Sequence, residues 1–392
     1  MNQFQSNILQ LINCAISEKQ ESMDQTLDWE VTLKYGIKQK VLPLIYYGAN
    51  AAGIQIPEPY HNQFLAATAK FLMQNQMQMR EQEKIMEAFD NQGIRYIVLK
   101  GAELKNYYPK PELRPMGDID IQVDLSRYET IQLIMKELGY EEERESDHEL
   151  VWVKKECMVE LHKRLIPSYN QDYYRYFGDG WGRAYPAYEG SNVYRFSPED
   201  NMVYLFTHFS KHYRDAGIGL LHLVDLYIFR RTYSLDEGYL SQSFRELGLW
   251  DFYRNIVKTL DVCFKNAEPT PITTHILDRI FGAGAYGSSE AQAISVAVKK
   301  TKHIKNKKII PLVLLKKRIF MPYPEMCKRH KILKKIPVIL PFMWIYRACS
   351  VCLFHRDRLN SEIKKLKLSD GQTVQQYYQD LQFVGLDFDF VE

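Results

Sequence analysis

Residues 113–123 read LRPMGDIDIQV, and this stretch sets two aspartates one residue apart in an apolar run. Side chains alternate between the two faces of a strand, so Asp118, Asp120 and Gln122 share a face opposite the isoleucines and the valine. Like charges this close are unfavourable unless a cation lies between them. Carboxylate oxygens favour Mg²⁺ or Mn²⁺. The stretch predicts a metal-binding strand; the alternative is the solvated face of an edge strand.

A second strand pattern repeats this arrangement at ECMVELH, residues 156–162. Glu160 and His162 share one face, while the apolar residues between them point the other way. If this strand pairs beside the first, Glu160 becomes a third carboxylate at the same site. Three carboxylates that hold two Mg²⁺ ions are suited to in-line phosphoryl or nucleotidyl transfer.

Basic residues flank the aspartates on the N-terminal side. Lys100 and Gly101 end a β-rich run, and a glycine at such a turn allows backbone N–H groups to approach a phosphate. Lys100 adds a point charge, and Arg114 can bind a phosphate with two hydrogen bonds. The alternatives are a solvated strand end for Lys100 and an ordinary loop arginine for Arg114.

The composition is that of a globular protein of several domains. The 392 residues are 46% hydrophobic and 25% charged, with a net charge of +3. The six cysteines are scattered, which is typical of a reducing compartment rather than a disulfide framework. The first twenty residues lack the basic and apolar regions of a signal peptide, so a cytoplasmic protein is expected.

The period of the apolar residues divides the chain. Residues 1–92 predict an N-terminal helical bundle whose last helix covers about 61–91. An α+β core follows at 93–165, with strands near 94–101 and 118–123, a helix over 126–139 and then further strands. Residues 166–196 read as an irregular connector. A C-terminal helical domain is predicted over 197–392, with Ser197 as the first cap.

Two C-terminal segments bear on partners. Residues 336–354 are apolar but contain two prolines and an arginine, so a buried helix is predicted; a membrane or membrane-surface role is the alternative. Residues 299–335 hold fourteen Lys or Arg and one acid, Glu325. This basic run is either a solvated face or a contact surface for RNA phosphates or an anionic membrane.

These motifs together resemble the uncharacterised nucleotidyltransferase family of the DNA polymerase beta superfamily. The shared pattern is an apolar-Lys-Gly turn, an Arg before Gly-Asp-x-Asp, a Gly-Tyr and a Glu-x-His strand. In this sequence the pattern falls on Lys100, Gly101, Arg114, Gly117, Asp118, Asp120, Gly139, Tyr140, Glu160 and His162. Ala102 departs from the wider superfamily, which carries Ser or Gly after the glycine.

The resemblance implies a small mixed β-sheet core and an enzyme that moves a nucleoside monophosphate from an NTP, such as ATP, to an acceptor hydroxyl. Asp118, Asp120 and Glu160 would be the catalytic metal ligands for Mg²⁺ or Mn²⁺, and Glu160 would help to deprotonate the acceptor. Lys100, Gly101 and Arg114 would bind the triphosphate. Either Asp118→Asn or Asp120→Asn is expected to abolish transfer and leave the melting temperature similar or higher.

The acceptor is not specified by these motifs: a small molecule, a saccharide, a protein or RNA all fit. His162, His208 and Asp225 are candidates for an acceptor pocket. For His208 and Asp225 the alternative is a buried hydrogen-bonded pair that braces the helical domain. The competing functions are a catalytically inactive binding protein with this fold and a toxin-like enzyme that modifies tRNA ends.

Overall fold

The structure is a computed structural model and describes residues 1–17, 27–285, 287, 291–295, 298, 313, 316, 319–354 and 371–386. Two compact units divide the chain. The first unit comprises residues 1–211, 218–286 and 384–392, and the second comprises residues 212–217 and 287–383. All of the candidate site residues belong to the first unit.

The described helices and strands alternate only in the middle of the chain. The helices are α1 (Gln3–Ser17), α2 (Trp29–Lys38), α3 (Leu42–Ala51), α4 (Tyr60–Asn91), α5 (Lys100–Leu104), α6 (Tyr128–Glu137), α7 (Gln171–Phe177), α8 (Pro198–Asp215), α9 (Leu220–Thr232), α10 (Glu237–Glu246), α11 (Trp250–Phe264), α12 (Pro271–Gly282), α13 (Tyr323–Arg329), α14 (Leu340–Phe354) and α15 (Gly371–Phe383). The strands are β1 (Tyr96–Val98), β2 (Ile119–Val123), β3 (Glu141–Glu145), β4 (Glu149–Lys154), β5 (Cys157–His162), β6 (Ala184–Pro186) and β7 (Val193–Phe196).

The seven described strands form one mixed sheet in the order β3-β4-β5-β2-β1-β7-β6. β2 runs parallel to β5, and β1 runs parallel to β7. The remaining neighbours are antiparallel. The predicted α+β class, a small mixed sheet flanked by helices on the N-terminal and C-terminal sides of the sequence, is confirmed.

Helices α4 and α6 cover one face of this sheet. Their buried side chains pack against the inward residues of β2 and β5 in one apolar cluster: Ile85, Phe89, Ile131, Met135, Ile119, Ile121, Val123, Val159 and Leu161. Full burial of such a side chain contributes about 1.5–3 kcal/mol. Because these apolar residues occupy one face, the alternating polar residues of both strands must lie on the other face.

Several local predictions are confirmed. The long helix predicted at 61–91 is α4, and Gly93 follows it with a φ of +63°, as glycine does after a helix end. Ser197 caps α8, because its Oγ accepts a hydrogen bond from the backbone N–H of Asp200 at 3.0 Å.

Two predictions of local structure need correction. The helix predicted over 126–139 begins only at Tyr128, because a 3₁₀ turn precedes it and the Asp124 carboxylate caps that turn by accepting from the N–H of Ser126. The connector at 166–196 is not wholly irregular: its β7 pairs with β1 and its β6 with β7. Isolated three- and four-residue strands carry too little pattern to be predicted.

In the second unit, α14 is not the buried helix predicted at 336–354. Phe342, Ile345 and Tyr346 are 71%, 63% and 63% exposed. None of the helices within the described ranges is both long and apolar enough to cross a membrane. Residues 299–312, 314–315 and 317–318 of the basic run lie outside the described residues, so the contact of this run with anions stays a prediction.

Candidate active site

The pairing of β2 with β5 brings the two acidic strands together. In their parallel register Asp120 lies opposite Glu160, and Gln122 lies opposite His162. Neighbouring strands are about 5 Å apart, so opposed side chains on one face meet. The pairing of the two acidic strands, on which the predicted third carboxylate depended, is therefore present. The acidic side chains lie on the face of the sheet that α4 and α6 do not cover.

Three side chains form a compact cluster on this face. His162 Nε2 lies 2.7 Å from Asp120 Oδ1 and 3.7 Å from Glu160 Oε2. One potential ligand atom from each residue lies within 4.8 Å of the other two. Lys100 Nζ donates to the same Oδ1 of Asp120 at 2.7 Å. The cluster therefore holds two carboxylates, an imidazole and one balancing cation.

Asp118 lies just before β2, beside this cluster but outside the group of three. Burial, followed by repulsion from Asp120, raises the pKa of Asp118 to about 6. The positive charges of Lys100, Arg114 and Lys40 oppose that rise. The mutual repulsion predicted for the two aspartates is thus present, and it falls mainly on Asp118.

The pKa values of the other two acids, Glu160 and Asp120, are shifted in opposite directions. Burial raises the pKa of Glu160 to about 7, and the charge of Asp120 adds to the rise. Burial also opposes ionisation of Asp120, but Lys100 and His162 outweigh it and hold the pKa of Asp120 below its ordinary value. Burial and the nearby Lys100 lower the pKa of His162, so the imidazole is neutral at pH 7. The site thus has one firmly ionised carboxylate, Asp120, and two carboxyls whose pKa values are raised towards neutrality: Glu160 in the cluster and Asp118 beside it.

Two lysines beside the aspartates adopt left-handed backbone conformations. The φ angles are +56° at Lys40 and +48° at Lys100. This region is disfavoured for residues other than glycine, and such strain concentrates at functional sites. The charge of Lys40, from the turn between α2 and α3, acts on Asp118. The N-terminal helices therefore contribute a cation to the site.

Arg114, predicted to bind triphosphate, has a protein carboxylate as its partner. Its Nε and Nη2 donate to the two oxygens of Asp225 at 3.1 and 2.8 Å, and both side chains are buried. The hydroxyl of Tyr108 donates to the same Asp225 at 2.7 Å. This bidentate pair ties the loop before β2 to α9, and a phosphate contact by Arg114 stays a prediction.

Gly101 is required by that arrangement. A Cβ at this position would lie 2.1 Å from Nη1 of Arg114, far closer than atoms can approach. The glycine therefore admits the guanidinium against the first turn of α5. The sequence explained Gly101 by the approach of a phosphate, whereas the structure supplies a close contact within the protein.

The acceptor-pocket candidates separate in space. His162 belongs to the acidic cluster, and Asp225 belongs to the buried pair with Arg114. Asp225 is buried and accepts hydrogen bonds from Arg114 and Tyr108, and the buried pair of His208 with Asp225 that the sequence offered as the alternative stays a prediction. His208 lies half-buried on α8. A role for these three residues in acceptor binding stays a prediction.

Two residues, His162 and Lys40, were not assigned to the acidic site from the sequence. His162 was assigned to an acceptor pocket, although its place two residues after Glu160 on one strand face was a signal for a shared metal site. Lys40 carries no local signal, since only the packing of the N-terminal helices brings it near Asp118.

The model of the uncharacterised nucleotidyltransferase family matches residues 25–265, a range that contains every site residue described above. No curated protein sequence gives a significant match. The solution structure of the antibiotic-resistance factor ANT(2'')-Ia is similar at 14% identity and a TM-score of 0.34, over 48% of this chain and 97% of that one. With more than half of its length matched by the family model, this chain belongs to the family of uncharacterised nucleotidyltransferases.

Proposed function

We propose that the protein transfers a nucleoside monophosphate from an NTP to an acceptor hydroxyl and releases pyrophosphate, with a divalent cation at the acidic cluster. The observation that carries this proposal is the parallel register that sets Asp120 opposite Glu160. Two carboxylates from adjacent strands then converge at one point, with Asp118 beside them.

The donor set fits a divalent cation. Asp120, Glu160 and His162 offer two carboxylate oxygens and a ring nitrogen within 4.8 Å of one another. Hard carboxylate ligands suit Mg²⁺, and the added imidazole suits Mn²⁺ at least as well. A bound cation would offset the charge of the phosphates and lower the pKa of the acceptor hydroxyl. Asp118 would complete the set as a further carboxylate, and this fits its raised pKa.

The basic residues would bind the phosphate chain. Lys100 neutralises Asp120 in the free protein, and its flexible stem allows the ammonium to turn to a phosphate. Among the described residues, no side-chain hydrogen bond caps the N-terminus of α5, the helix that carries Gly101. Arg114 would act indirectly, since it supports Gly101 while paired with Asp225.

Glu160 is suited to take the proton from the acceptor hydroxyl. A general base works best when its pKa lies near the working pH, and in the metal-free protein burial, with the charge of Asp120, raises the pKa of Glu160 to about 7. Asp120 is unsuited to this role because Lys100 and His162 keep it ionised at much lower pH. The two acids would therefore differ in role: Asp120 holds charge, and Glu160 exchanges a proton.

Label transfer tests this proposal. The protein is incubated with each labelled NTP, Mg²⁺ or Mn²⁺ and a cell extract, and the molecule that acquires label is identified. Transfer by the wild type and none by Asp118→Asn would support the proposal. Full activity in that variant would contradict the assignment of Asp118.

A non-catalytic binding protein is the second candidate, and the Lys100–Asp120 ion pair favours it because the carboxylate is already neutralised without metal. The two candidate functions predict different changes in melting temperature when an NTP and a divalent cation are added. A catalytic site predicts stabilisation by an NTP that depends on Mg²⁺ or Mn²⁺, and an inactive site predicts none. Growth arrest on overexpression that requires Asp120 would instead point to a toxin-like enzyme acting on tRNA.

A further inference from the structure

Tyr204 on α8 has a buried hydroxyl with no hydrogen-bond partner among the described residues. Its side chain is 1% exposed, and its ring packs against Phe177 and Phe196 with centroid distances of 6.0 and 6.3 Å. Within the described residues, no side chain or backbone group forms a hydrogen bond with its hydroxyl. An unsatisfied buried hydroxyl is destabilising, so each case calls for an explanation.

The neighbours of α8 place this hydroxyl near the acidic cluster. One turn before Tyr204, Asn201 Nδ2 donates to both carboxylate oxygens of Glu103 at 2.8 and 2.9 Å. Glu103 lies on α5 three residues after Lys100. These two hydrogen bonds therefore join α8, one turn before Tyr204, to the helix that begins at Lys100.

The electrostatic surroundings agree with this placement. Burial raises the pKa of the Tyr204 hydroxyl, the charge of Lys100 acts in the opposite direction, and the charges of Asp120 and Glu160 raise it further. The phenol is therefore protonated across the physiological pH range and is a hydrogen-bond donor there. It lies within electrostatic reach of the one cation and both carboxylates of the cluster.

We propose that the Tyr204 hydroxyl is a binding group of this site and donates a hydrogen bond to an oxygen of the phosphate chain of the bound NTP. This inference rests on the proposed function. A phosphate oxygen is favoured because Lys100, the residue assigned to the phosphates, is the cation beside the hydroxyl. Neutral donors and an ammonium together recognise phosphate anions in proteins. Aromatic packing on two sides holds the phenol ring in place before the ligand arrives.

The test is Tyr204→Phe, which removes the hydroxyl and leaves the ring packing intact. The free variant is expected to melt at the wild-type temperature or slightly above it, because no hydrogen bond to a described residue is lost. Its Kd for tripolyphosphate and for each NTP, measured by calorimetry with Mg²⁺, is expected to rise about tenfold. The matched control is Tyr35→Phe: Tyr35 also has a buried hydroxyl without a described partner, but burial alone raises its pKa. That control should bind like the wild type.

The outcomes separate this inference from the proposed function. Unchanged affinity of Tyr204→Phe for both ligands overturns the inference and leaves nucleotidyl transfer standing. Weaker NTP binding with unchanged tripolyphosphate binding means that the hydroxyl meets the nucleoside, which overturns the assignment to phosphate. A clearly lower melting temperature of the free variant means that the hydroxyl is bonded within the protein. Absence of NTP binding by the wild type overturns the proposed function and this inference together.

Discussion

His162 and Asp120 are 42 residues apart in sequence, yet His162 Nε2 lies 2.7 Å from Asp120 Oδ1. Lys100 Nζ lies at the same distance from the same oxygen. Asp120 is therefore a buried carboxylate with two partners, whereas Asp118 beside it has its pKa raised to about 6 by burial and by the charge of Asp120. The two aspartates of one short motif thus have different environments, and their substitutions should have different effects.

Asp118→Asn and Asp120→Asn should both abolish transfer, but they should differ in their free energy of unfolding. The sequence alone predicted a similar or higher melting temperature for either. Asp118→Asn should still behave so, because it removes a repulsive charge. Asp120→Asn leaves Lys100 buried without its counter-charge, which costs about 3 kcal/mol. Urea unfolding without metal measures the free energy of unfolding of both variants.

The control is Asp251→Asn, which removes an exposed ion pair with Arg254 and should change the free energy of unfolding little. Equal stability of the two site variants would contradict this account.

Metal binding should weaken below neutral pH. Glu160 and Asp118 have pKa values raised to about 7 and about 6, so both are protonated in acid, and a metal must displace those protons. The Kd for Mn²⁺, followed by electron paramagnetic resonance, should rise about tenfold or more between pH 7.5 and pH 5.5. Glu160→Gln should flatten this dependence as well as weaken binding. An identical Kd at both pH values in the wild type would exclude these carboxyls as ligands.

Gly101→Ala should destabilise the protein. A methyl group there would lie 2.1 Å from Nη1 of Arg114 and would force the guanidinium away from Asp225. Overpacking of this kind, with strain on a buried ion pair, costs about 2–4 kcal/mol. The free energy of unfolding measures the loss without any ligand. Gly182→Ala is the matched control, since nothing lies within 4 Å of its added Cβ. A stable Gly101→Ala variant that loses only NTP binding would instead support the phosphate explanation of this glycine.

Glu81 should make stability depend on pH in the acid range. Burial opposes its ionisation, but hydrogen bonds from Lys154, Lys84 and Tyr140 outweigh burial and lower its pKa to about 2. Because the folded pKa lies below the unfolded value, the stabilisation is complete above about pH 4.5 and is lost as the pH falls towards 2.

The variant Glu81→Gln should therefore lower the free energy of unfolding by about 2 kcal/mol at pH 7, and the difference from the wild type should shrink in acid. Chemical unfolding at pH 3, 5 and 7 measures this. Glu83→Gln, an exposed position two residues along the same helix, is the control. A difference that stays constant from pH 7 down to pH 3 would mean that the lost ion pairs are not the cause.

Much of the fold was predictable because its signals are local. Period-two alternation predicted β2 and β5 and the face that each polar residue occupies, and α4 was predicted nearly to its ends. The short β6 and β7 were missed because strands of three and four residues show no period. The exposure of α14 was missed because an apolar sequence does not reveal what packs on it.

In the candidate site, too, some features follow from the local sequence and others from tertiary packing. The sequence determined which residue types lie on one face of each acidic strand, because the direction of a side chain depends on the position within the strand alone. Tertiary structure decided that β2 and β5 pair in the register of Asp120 with Glu160, and that Arg114 binds Asp225, 111 residues away. Such contacts depend on how separate elements pack, and local periodicity carries no record of that packing.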